Sequence, residues 1–100
     1  MSSEQSLREK INQETAIFPW SELLKQFASG NVIAVDGELD LVEIAEAMAT
    51  DNTAVIQPFV IAGKIAKVTD EQALSWLEQN LMVWTVVIKP WILVQHRVEQ

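Results

Sequence analysis

Cysteine is absent from the 100 residues, so disulfides, thiolate nucleophiles and cysteine-based zinc sites are excluded. A small secreted domain often depends on disulfides, so their absence points to the cytoplasm. Tyrosine is missing too, and there are only three glycines, with no glycine-rich loop to cradle a phosphate and no Gly-x-Ser-x-Gly elbow. Histidine occurs once, at His96. Long apolar runs are lacking. The longest, Leu81 to Val94, is interrupted by Lys89 and Pro90 and falls short of the roughly 20 residues a membrane helix needs. Met1 to Glu14 is polar and has no signal-peptide core. Positive charge is scarce: 7 Lys and Arg stand against 14 Asp and Glu. Between Lys25 and Lys64 there is no cation at all, while Asp36, Glu38, Asp40, Glu43, Glu46 and Asp51 lie there. That balance disfavours nucleic acid and anionic membranes.

What is present is a feasible core, at 49% hydrophobic residues, in a length that suits one domain with a frayed start. Leu7 and Ile11 carry a thin apolar stripe on a helix expected from about Glu4 to Ile17. Phe18-Pro19 breaks it. Trp20, Leu23, Leu24 and Phe27 mark the buried face of a second helix, closed by Gly30. Val32 to Val35 is a short strand. Asp40 caps a third helix with Leu41, Ile44, Ala45 and Met48 inward. A fourth, with Val55, Ile56 and Phe59, contains an awkward Pro58 and ends at Gly63. Lys64 to Val68 is a strand. Thr69 and Gln72 form a capping box for a helix over Asp70 to Gln79, with Ala73, Leu74 and Leu77 buried. Met82 to Ile88 is a strand, and Trp91 to Gln95 continues it in extended form. The expected fold is α+β: about five helices and a three-stranded, mostly antiparallel sheet.

Three groups of residues invite a functional reading. Asp36, Glu38 and Asp40 alternate, and hard cations favour several oxygens from one loop. The stretch lacks the glycine and the spaced glutamate of an EF-hand, and a solvated turn with a capping Asp40 is the simpler reading. Glu43 and Glu46 share a helix face, where solvent exposure is again the simpler reading. His96 sits in a charged tail and reads as solvated. No catalytic residue and no cofactor is assigned. Of the four tryptophans, Trp20 and Trp84 are expected in the core. Trp91 follows Pro90 on an expected sheet edge, so Trp91, Ile92 and Val94 are the candidate interface.

The order of elements has a loose likeness to winged-helix domains. Leu41 to Lys64 would be the helix pair, and Ala62-Gly63-Lys64-Ile65 the entry to the wing. DNA binding is disfavoured, because the two helices themselves carry acids and no cation, and Lys64 and Lys67, just beyond, are too few. The whole chain also resembles an uncharacterised bacterial family of short acidic proteins, a domain of unknown function. The likeness rests on Glu14-Thr15-Ala16, Pro19 to Leu23, Leu39 to Glu43, Val68 to Ala73 and Pro90-Trp91-Ile92-Leu93-Val94-Gln95. It implies a bacterial cytoplasmic protein and brings no activity. The expected function is a non-catalytic protein-interaction or assembly module, with self-association through the C-terminal apolar segment. A DNA-binding regulator and a small ligand- or metal-binding domain are the alternatives.

Overall fold

The computed structural model describes residues 6–96. The first helix, α1, spans Leu7–Glu14. Ser6 and Glu9 close its start reciprocally, each side chain accepting from the other's backbone N–H. It stops three residues sooner than expected, where the Thr15 hydroxyl donates to the Ile11 carbonyl. Ala16–Pro19 is instead a strand, β1, paired antiparallel with a later strand at Thr85 to Met82. Ile17 and Phe18 favour extended backbone, and Pro19 holds Phe18 out of the helical region.

A 3-10 turn at Trp20–Leu23 leads into a short helix, α2, Leu24–Ala28. Then come β2 (Val32–Val35), α3 (Leu41–Ala49), α4 (Thr53–Ile61), β3 (Ile65–Lys67) and α5 (Asp70–Glu78). The last two strands, β4 (Met82–Ile88) and β5 (Trp91–Gln95), form an antiparallel hairpin rather than one interrupted element. Pro90, which cannot donate to a ladder, lies in the turn. The Thr69–Gln72 capping box of α5 forms as expected.

Among the described residues the sheet has five strands, not three, in the order β1-β4-β5-β2-β3. β5 runs parallel to β2, and the other neighbours are antiparallel. Helices cover both faces. On one, Ile11 of α1 and Leu41, Ile44 and Ala45 of α3 pack on Val35, Ile65, Val86 and Leu93. On the other, Trp20, Leu23 and Ala73 pack on Val32, Val83 and Val94. Trp20 is fully buried, its indole N–H donating to the Ala73 carbonyl at 2.9 Å. Trp76 and Phe27 meet it edge-on, with ring centroids 5.1 and 5.8 Å away. A mixed sheet between two helical layers is not a winged helix, and the helix pair α3–α4 lies across a sheet face. Two further expectations change. Leu74 and Leu77 are exposed, because α5 turns Ala73 and Trp76 to the sheet. Trp84 is half-buried rather than enclosed.

Candidate functional site

The acidic loop after β2 is tied down locally. Asp36 accepts from the Glu38 N–H, and Asp40 caps α3 by accepting from the Val42 and Glu43 N–H groups. Arg8, from α1, supplies the cation that the central sequence lacks, lying 3.0 Å from Asp40 and 3.7 Å from Glu46. Glu38 meets Lys64 at 3.2 Å. Asp36, Glu38 and Asp40 thus point to different partners. Among the described residues, no three histidines or carboxylates are grouped to hold a metal ion. Beneath the loop lies a residue that pattern reading missed. Gln95 is fully buried, and its amide donates to the Asp36 and Leu39 carbonyls at 2.9 and 2.6 Å. Its signal in the sequence is a lone amide closing the apolar run of β5.

Strands β2 and β5, the parallel pair, end side by side at Asp36 and His96. Beside these ends a groove of about 480 Å³ opens on the α5 face. Ala34 and Ala66, directly opposite each other on β2 and β3, give it a floor of small side chains. Gln72 and Trp76 of α5 form a wall, and Asp36, Lys64 and His96 complete it. His96 is therefore half-buried in a groove, not a solvated tail residue.

A second feature lies on the opposite face. From Asn52 to Gly63 there is no charged residue. This stretch builds α4, which has no fully buried residue. Val55, Ile56 and Phe59 are half-buried, while Val60 and Ile61 are 50% and 78% exposed. A helix apolar on all sides is normally enclosed. Thr53 and Ile56 line a concavity with Met48, Ile88, Pro90 and Trp91, bordered by Asp51 and Lys89. Val60 continues their i, i+3, i+7 stripe away from it.

Of the three residues expected at an interface, Trp91 is half-buried at this concavity, Ile92 is half-buried on the α5 face, and Val94 is fully buried in the core. β5 is no sheet edge, because β4 and β2 flank it. The edges are β1 and β3. One ends in Pro19, and the other is short and carries Lys67, features that discourage strand addition.

An NMR solution structure of PA1075 from Pseudomonas aeruginosa is similar to this chain, with a TM-score of 0.82 and 39% sequence identity. The match covers 99% of this chain and 93% of that one. No curated protein matches. Residues 6–96 match a family described as protein of unknown function (DUF2288). With nearly its whole length matched, the chain belongs to the DUF2288 family.

Proposed function

We propose that this chain is a non-catalytic assembly module of the bacterial cytoplasm that associates with a second copy of itself through α4 and the β4–β5 turn. The observation that carries this reading is a charge-free helix without one fully buried residue, ending in Val60 and Ile61 at the surface. Covering such side chains stabilises by about 25 cal/mol per Å² of apolar surface removed from water. Electrostatics favour a second copy at this place. Two molecules of net charge −7 repel across most approaches, and the uncharged α4 is a face that brings few like charges together, the neighbouring concavity holding one acid, Asp51, and one base, Lys89. The surface also offers both halves of a self-complementary contact, the protruding Ile61 and the concavity at Trp91 and Ile56, as a two-fold dimer requires. The acidic remainder keeps the other faces apart and disfavours nucleic acid, since neither α3 nor α4 carries a Lys or Arg.

Sedimentation velocity tests this. The wild type should sediment as a dimer at micromolar concentration. Ile61→Glu, at a side chain that makes little core contact, should give a folded monomer, and Trp91→Ala should weaken the dimer. A wild type that stays monomeric at high micromolar concentration rejects the reading, as does an Ile61→Glu dimer of unchanged affinity.

A further inference from the structure

We infer that the groove at the ends of β2 and β5 binds a small carboxylate with a flat apolar body. Its volume, about 480 Å³, lies in the range of small-molecule sites, about 300–1,000 Å³. Its place agrees with a general property of sheets with parallel strands, which take ligands beyond the strands' carboxyl ends. Here the carboxyl ends of the parallel pair, at Asp36 and His96, border the groove. The alanine pair Ala34–Ala66 keeps the sheet bare at that point, where larger side chains would fill the space under α5.

Charge selects the ligand class. In a chain with twice as many acids as bases, Lys64, Lys67 and His96 line this groove against one carboxylate, Asp36. The concavity beside Arg8 has the opposite balance, with Glu43 and Glu46 in its lining. The Lys67 ammonium sits over the Trp91 ring, 5.6 Å from its centroid, so Lys64 and His96 are the groups that meet an anion. Among the described residues Lys64 is paired with Glu38 alone, whose side chain is 79% exposed, and an exposed pair of this kind is easily given up. Trp76 supplies the apolar wall. It packs edge-on against Trp20 at 88° and is positioned by the core, so it offers a preorganised surface for a planar group.

The test is an NMR titration of the ¹⁵N-labelled full chain with benzoate, benzyl alcohol and inorganic phosphate. Benzoate should shift the Trp76 indole and the Gly37 and Gly63 amides saturably. Benzyl alcohol, which lacks the charge, and phosphate, which lacks the ring, should bind about tenfold more weakly, the equivalent of one charge-assisted hydrogen bond. Lys64→Gln should weaken benzoate by a similar factor, its spectrum elsewhere confirming the fold, and His96→Gln provides the same check independently. Non-saturating shifts, equal binding of either control probe, or benzoate affinity untouched in both variants overturns the inference.

Discussion

Replacing Gln95 tests how the acidic loop is held. Its amide is the buried donor to two backbone carbonyls, Asp36 and Leu39. Asp36 keeps a second partner, the Leu39 N–H at 3.0 Å, so the main loss falls on Leu39. A buried acceptor left without a donor costs about 1–3 kcal/mol. Gln95→Met keeps nearly the same length and removes the donor, and should destabilise by about 2 kcal/mol. Gln95→Ala adds a cavity and should cost about 3–4 kcal/mol. For a domain of this size, about 2 kcal/mol lowers the melting temperature by roughly 8–16 °C.

Gln95→Glu extends the test to pH. The introduced carboxylate would lie in a fully buried position against the Asp36 and Leu39 carbonyl oxygens, so its folded-state pKa should rise above its unfolded value. Its protonated form fits best. Relative to the wild type, this variant is least impaired below the unfolded carboxyl pKa and loses stability as pH rises through the raised folded value. Urea melts followed by tryptophan fluorescence give the free energies. Melting of Gln95→Met within error of the wild type would refute the reasoning, and so would a Gln95→Glu penalty that does not change with pH.

Other perturbations have equally definite outcomes. Trp20→Phe removes the indole donor to Ala73 and part of the packing against Trp76 and Phe27, and should cost about 2–3 kcal/mol in urea melts. Asn80 ends α5 at φ 53°, in the left-handed region, so Asn80→Gly should stabilise by about 0.5–1 kcal/mol. Salt screens repulsion between like-charged molecules, so the dimer constant measured by sedimentation should tighten from low to moderate ionic strength.

Local chemistry made much of this fold legible. The Thr69–Gln72 box, the Asp40 cap and the Gly30 and Gly63 stops act within a few residues, and all lie where pattern reading places them. β1 escaped because the end of α1 and the start of β1 share one polar-to-apolar transition, and only pairing with β4 decides between them. The central position of β5 escaped because strand order depends on partners far away in sequence. The exposure of Leu74 and Leu77 escaped for a similar reason: helical spacing identifies a stripe, and the tertiary neighbour Trp20 selects which stripe turns inward. Of the candidate sites, the acidic turn and Trp91 could be named from residue type alone. The groove could not, since its floor is two alanines that only strand register brings together.

The parallel pairing of β2 with β5 also orders events during synthesis. Val32 leaves the ribosome early, yet the neighbour it needs, Ile92, follows after α3, α4, β3, α5 and β4. Until then the nascent chain holds a sheet with its middle missing, and the apolar α4 waits beside it. Contacts so distant along the chain slow folding and prolong exposure to aggregation. Completion of the sheet is therefore the step at which shielding of the apolar surface would matter most.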